Sequence, residues 1–164
     1  MAESQPSEVI YSDLVVTRVL DAPIEKVWQF WTEPEKFRRW WGPATYTAPK
    51  VEMDLREGGK LLWCMQAPAD QGGGVYCNAG IFRRIVPNER LEIDLRGSDE
   101  QGDPIPASDW GGPEEFDVEV QFESLGGKTV LTYIARNWPL TQMFAYAFAG
   151  MNQSLDKLEE AVKG

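Results

Sequence analysis

Residues 14–43 read LVVTRVLDAPIEKVWQFWTEPEKFRRWWGP, and the change of period inside this stretch decides the fold. Leu14 to Leu20 are rich in β-branched residues, the composition of a strand. From Ile24 onward the apolar residues recur every three or four positions, so Ile24, Val27, Trp28 and Trp31 form one helical stripe. Asp21 is the expected N-cap, with Pro23 in the first turn. Thr32 is expected to cap a second short helix that Pro34 opens, in which Phe37, Trp40 and Trp41 share a face and Gly42-Pro43 forms the stop. The chain therefore opens strand, helix, helix.

Six strand-like runs follow: YTAPKVEMDL (46–55), KLLWCMQA (60–67), VYCNAGIFRRIV (75–86), RLEIDLRG (90–97), EFDVEVQFES (115–124) and KTVLTYIA (128–135). Leu91, Ile93 and Leu95 alternate with Glu92 and Asp94. Phe116, Val118, Val120 and Phe122 alternate with Asp117, Glu119 and Gln121. This period of two marks an antiparallel sheet with one wet face. KLLWCM is apolar on both faces, and its register stays open. Helical spacing returns at the end, with Met143, Ala147, Met151, Leu155, Leu158 and Val162 on one stripe that Phe144 and Phe148 widen in the first half.

Connector lengths sort by parity, because alternate connections of an up-and-down sheet lie at the same end. EGG, PNE and LGG make tight turns at one end. WWGPA, APADQGGG, the long GSDEQGDPIPASDWGGPE (97–114) and RNWPL gather at the other. Long loops collected at one end of a scaffold surround functional openings.

Composition narrows the chemistry. Apolar residues make up 43% of the 164, with seven Trp, seven Phe and five Tyr, which suits a packed interior. The segment 1–12 reads as a flexible N-terminal stretch and 13–164 as a single domain. Sixteen Lys and Arg face 26 Asp and Glu, a net charge of −10, and such a surface repels phosphate backbones and anionic membranes. Neither a signal-like start nor an 18-residue apolar run occurs, so the expectation is a cytoplasmic protein without nucleic-acid or membrane partners. There is no histidine, which excludes Ser/His/Asp triads, Cys/His pairs and histidine metal sites. Cys64 and Cys77 can sit opposite one another in a hairpin, but two buried free thiols is the preferred reading. Glu57-Gly58-Gly59-Lys60 lacks the spacing of a phosphate-binding loop. Arg38-Arg39 and Arg83-Arg84 read as solvent-facing salt-bridge partners.

APIEKVWQFWTEPEKFRRWWGP, VEMDLREGGKLLWCM and GIFRRIVPNERLE, together with the amphipathic C-terminal helix, resemble the homologues of the C-terminal domain of the heat-shock chaperone ATPase activator. That family lies in the START-like helix-grip superfamily, also called SRPBCC, and the resemblance runs from about Leu14 to Lys163. It implies an α+β fold: a curved antiparallel sheet of six to seven strands wrapped around a long C-terminal helix, with two short helices after strand one. It also implies a pocket between sheet and helix that often holds a small apolar or aromatic ligand. Gly97 to Glu115 is long for the family.

The expected function is binding of a small hydrophobic or aromatic molecule in that cavity, without metal or organic cofactor, by a monomer or homodimer. Trp41, Trp63 and Met65 would give apolar wall, as would Met143, Phe144, Ala147, Phe148 and Met151 on the last helix. Tyr76, Asn78 and Tyr133 would orient the ligand through hydroxyl and amide groups, with Arg136 a further polar candidate at the same end. Trp110, alone among Asp, Gly and Pro, either staples its loop to the body or forms part of a lid at the mouth. Two alternatives stand beside this reading. One is a chaperone-associated or regulatory interaction module using the outer sheet face and the arginines. The other is a cofactor-free cyclase or hydrolase-like enzyme, whose acid and base would be carboxylates, Tyr, Lys or the thiols.

Overall fold

A computed structural model describes residues 8–164, so most of the segment expected to be flexible lies outside the described residues. β1 (Tyr11–Leu20) leads into α1 (Ile24–Thr32) and α2 (Pro34–Phe37). Then come β2 (Thr47–Met53), β3 (Lys60–Gln66), β4 (Val75–Val86), β5 (Arg90–Ser98), β6 (Glu115–Leu125), β7 (Lys128–Pro139) and the long α3 (Gln142–Lys163). All seven strands form one curved antiparallel sheet in the order β1-β7-β6-β5-β4-β3-β2. The short β2–β3, β4–β5 and β6–β7 turns lie at one end and the long connections at the other, as parity requires.

The inner face of the sheet carries Leu61 and Trp63 of β3, Leu91, Ile93 and Leu95 of β5, Phe116, Val118, Val120 and Phe122 of β6, and Leu131 and Tyr133 of β7. These pack with Val27, Phe30 and Trp31 of α1 and with Leu155, Leu158 and Val162 of α3 into one core. Only the second half of α3 is sealed: its first buried residue is Met151. Arg18 of β1 holds that half, donating from Nη1 to Asp156 Oδ1 at 2.7 Å and from Nη2 to the Asn152 carbonyl at 3.0 Å.

Several local expectations change. Pro23, not Asp21, occupies the N-cap of α1, and no side-chain cap bond forms there. Thr32 ends α1 and turns its hydroxyl back to the Trp28 carbonyl at 2.8 Å, so α2 begins after Glu33. With four residues α2 is too short to include Trp40, which sits in the following turn. β7 runs on through RNWP, the stretch expected to be loop. Asn137 takes a left-handed φ of 61° inside it, and its N–H donates to Asp13 Oδ1 at 3.0 Å.

The open register of β3 resolves into two clusters, because Leu62 and Cys64 face outward and pack with Cys77 and Ala79 of β4. Cys64 and Cys77 are directly paired across β3 and β4 and form a disulfide, which overturns the expectation of free thiols. Adjacent antiparallel strands bring opposed side chains to about 4.5–5.5 Å, close enough for two thiols that share a face to meet.

Candidate functional site

The mouth end of the inner face is built by a cross-strand row: Trp63 on β3 is paired with Asn78 on β4, and Asn78 with Gly97 on β5. Side-chain size falls along this row, and the space above Gly97 is taken by Trp110 from the β5–β6 connection. A Cβ at residue 97 would stand 2.6 Å from Trp110 Nε1, so glycine is what lets the indole lie on the strand. Trp110 then meets Trp138 edge-on with centroids 5.8 Å apart and Phe116 at 6.2 Å. On the other side Trp41 lies 5.0 Å from Trp63, and Phe37 lies between the two at 4.9 and 4.7 Å. Asn78 is thus a half-buried polar floor between two aromatic walls.

The connection that carries Trp110 wraps the rim of the sheet. Near its start the backbone carbonyl of Glu100 accepts a bond at 2.8 Å from Lys50 Nζ. Lys50 belongs to the outward row of Cys64, Cys77 and Ser98, so this part crosses the outer face. Further on, Trp110 enters the inner face, and a Cβ on Gly111 would meet the Met143 methyl at 3.3 Å. Trp110 therefore staples its loop to the body, and the next residue reaches the first turn of α3.

Facing this wall, the first half of α3 is apolar and incompletely covered. Met143, Phe144 and Ala147 are partly buried and touch the core. Phe148, expected in the wall, stands 43% exposed, and Met151 is buried. Met65 is half-buried beside Trp63 on the inner face, while Tyr76, next along the same face, is 52% exposed. Tyr133 is buried beside Trp31, with ring centroids 6.3 Å apart, and burial pushes its phenol above the ordinary value, so it stays a protonated donor. Arg136 points to the outer face, where it donates to Glu119 Oε2 at 3.1 Å and Asp117 Oδ2 at 3.3 Å.

Trp138 was missed by sequence reasoning. Leu131, Tyr133 and Ala135 alternate inward, and the Asn137 irregularity then shifts the parity so that Trp138, not residue 137 or 139, turns into the core. The available signal was a tryptophan next to an asparagine, a residue that tolerates left-handed backbone.

Two hollows lie elsewhere on the surface. One of about 520 Å³ runs over the outer face beside Ile81, Arg83, Asp94, Arg96 and Asp117. Its charges are already matched, Arg83 to Asp94 at 2.7 Å and Arg96 to Glu115 at 3.3 Å. The other, of about 510 Å³, lies between α3 and Arg39 and Ala44.

The sequence profile of the family described as Activator of Hsp90 ATPase homolog 1-like protein matches residues 21–163. Among solved structures, protein CV1439 from Chromobacterium violaceum is 25% identical, with a TM-score of 0.78 over 93% of this chain and 98% of that one. A protein from Arthrobacter aurescens, solved in solution, is 24% identical, with a TM-score of 0.74 over 92% and 86% of the two chains. The AHSA1 protein from Silicibacter pomeroyi is 20% identical, with a TM-score of 0.73 over 93% and 98%. The last two likenesses bear on the fold alone. No curated protein matches the chain.

Proposed function

The chain belongs to the family of Activator of Hsp90 ATPase homolog 1-like proteins, and from that premise we propose that it binds a small hydrophobic or aromatic molecule between the mouth end of the sheet and the first half of α3. The observation that carries this reading is the contrast within α3. Its second half is sealed by Leu155, Leu158 and Val162, each at most 1% exposed, whereas none of residues 142–150 is buried although the wall opposite is aromatic. A helix that needed only to close a core would be sealed along its length. Trp41, Trp63, Trp110 and Met143 bound the site, and Asn78 and Tyr133 supply its polar groups.

No organic or metal cofactor enters this reading. The carboxylates of β5 and β6 that an enzyme would use alternate onto the outer face and are engaged by arginines, which disfavours the cyclase or hydrolase alternative. The chaperone-associated alternative rests on the family description, yet Arg83 and Arg84 are tied to Glu92 and Asp94 on the sheet. The Cys64–Cys77 disulfide weighs against the expected cytoplasmic location, because such bonds persist mainly in oxidising compartments.

Native mass spectrometry after exposure to a library of lipids and aromatic polyketides should retain a ligand at one per chain. Loss of that species in Trp63→Ala with the fold intact would place it at the mouth. Absence of any retained species, combined with stimulation of a heat-shock chaperone's ATPase by the protein, would replace this reading with the interaction module.

A further inference from the structure

The sheet ends in two edge strands, β1 and β2, and only one of them is protected. An edge strand turns alternate N–H and C=O groups away from the sheet, and that row pairs with any strand offered to it unless the fold blunts it. β2 is blunted twice. Pro49 removes a donor from its middle, and Arg38 covers its carbonyls, donating from Nε to Ala48 at 3.2 Å and from Nη2 to Pro49 at 3.4 Å. β1 has ten residues and no proline, and among the described residues its backbone from Leu14 to Val19 bonds only to β7. Its outer-face side chains are exposed, Val15 at 48% and Val19 at 50%, and they continue the row of Ile134, Thr132 and Val130 on β7. β-branched residues on a bare edge are what a pairing strand would cover.

We propose that β1 pairs with β1 of a second copy of this chain, antiparallel across a two-fold axis at Val15, which joins two seven-stranded sheets into one continuous sheet. The strand suits its own copy. In a chain of net charge −10, residues 11–20 carry one Asp and one Arg, so two copies meet there along a neutral edge. An axis at Val15 sets Val15 against itself, Tyr11 against Val19, Leu14 against Val16 and Asp13 against Thr17, with no like charges opposed. Moving the axis to Thr17 would set Asp13 against Asp21, and moving it to Val16 would set Leu14 against Arg18. Pairing residues 11–19 of each copy forms about eight to ten hydrogen bonds, the number of an ordinary interface. The edge is only about 30 Å long and 10 Å thick, less than a permanent dimer buries, so the association is weak and depends on concentration.

Sedimentation equilibrium across about 1–500 μM, the span of weak interfaces, should show the mass rising from monomer to dimer. Val15→Lys, at an exposed position, puts two ammonium groups face to face at the axis. It should raise the dissociation constant at least ~tenfold with an unchanged circular dichroism spectrum. Val15→Cys reads the register. The chain's two cysteines are bonded to each other, so the introduced thiol is the only free one, and mild oxidation should link two copies through it. Thr17→Cys, whose two copies would lie about 13 Å apart in this register, should stay unlinked. A dimer that Val15→Lys leaves intact overturns the proposal by placing the contact elsewhere, and so does linkage through Thr17→Cys in preference to Val15→Cys. A monomer at every concentration also overturns it and leaves the edge to a strand of another protein.

Discussion

Trp40 and Trp41 are neighbours in the chain and are held by different forces. Trp40 is fully buried and donates from Nε1 to the Phe30 carbonyl at 2.8 Å, so its indole joins the turn after α2 to α1. Trp40→Phe leaves that carbonyl unmatched and should cost about 1–3 kcal/mol in urea unfolding. Trp41 is held by ring contacts with Phe37, Trp63 and Trp40, and Trp41→Phe should change stability by less than half as much while weakening ligand binding. A comparable loss of stability in both would show that Trp41 is core like its neighbour. At Gly97 the constraint is contact. A methyl there would press on Trp110 Nε1, Cε2 and Cδ1 at 2.6–2.9 Å, and overpacking of this kind costs about 1–3 kcal/mol. Gly97→Ala should therefore push the indole off the strand, seen as a red shift of tryptophan emission. Unchanged emission would show that the connection is not anchored there.

The strands of the sheet are joined by side chains as well as by their ladders. Glu119 of β6 sits between Arg90 of β5 and Arg136 of β7. Burial raises its carboxyl, but hydrogen bonds from Gln121 and Arg136 and the charges of Arg136 and Arg90 outweigh this and hold it below its ordinary 4.5. The folded state therefore binds this proton less readily than the unfolded chain. The stability Glu119 contributes is present in full above pH 4.5 and is lost as pH falls through the lowered value. Glu119→Gln should cost about 1 kcal/mol at pH 7, a figure reduced for the partly exposed arginine, and the gap to wild type should close in acid. A gap that persists at pH 3 would assign the effect to packing. Between β3 and β4, the Cys64–Cys77 bond closes a loop with a sequence separation of 13, for which chain-entropy arguments give roughly 3 kcal/mol. Reduction by dithiothreitol should lower urea stability by that order and leave the far-ultraviolet circular dichroism unchanged. A reduced protein as stable as the oxidised one would show that strand pairing already supplies the constraint. The sequence set out the strands through their alternation but did not reveal this bond. A cysteine in a strand with apolar residues on both faces does not declare which face it shares with a cysteine of the next strand.

At the scale of the molecule, what was legible was whatever depends on period and on connector length. Strand, helix, helix, then a meander and a long helix follow from residues 14–43 and from the parity of the turns. The end that carries the candidate site follows from where the long connections fall. What stayed hidden depends on single departures from period. The Asn137 irregularity put Trp138 in the core, and α3 proved sealed only from Met151 onward although its apolar stripe begins at Met143. One lysine joins these parts. Lys157, in the sealed half of α3, donates to the carbonyls of Gly42, Pro43 and Tyr46 at 3.0, 3.2 and 3.1 Å, and burial lowers its ammonium below its ordinary value. Those carbonyls belong to the loop that follows Trp41, where Gly42 holds a φ of 104°. The lysine therefore fixes one side of the mouth to the helix that closes the other. Lys157→Met keeps much of the apolar stem and removes the donors. It should lower stability by about 1–3 kcal/mol through the unmatched carbonyls. Hydrogen exchange should rise at residues 40–46 while the amides of β5 and β6 keep their protection, because the sheet does not depend on this contact. Ligand affinity should fall in the same variant, since Trp41 would lose its fixed position beside Trp63. Exchange that rises uniformly across the sheet would mean that Lys157 supports the whole fold, and the mouth would then have no tether of its own.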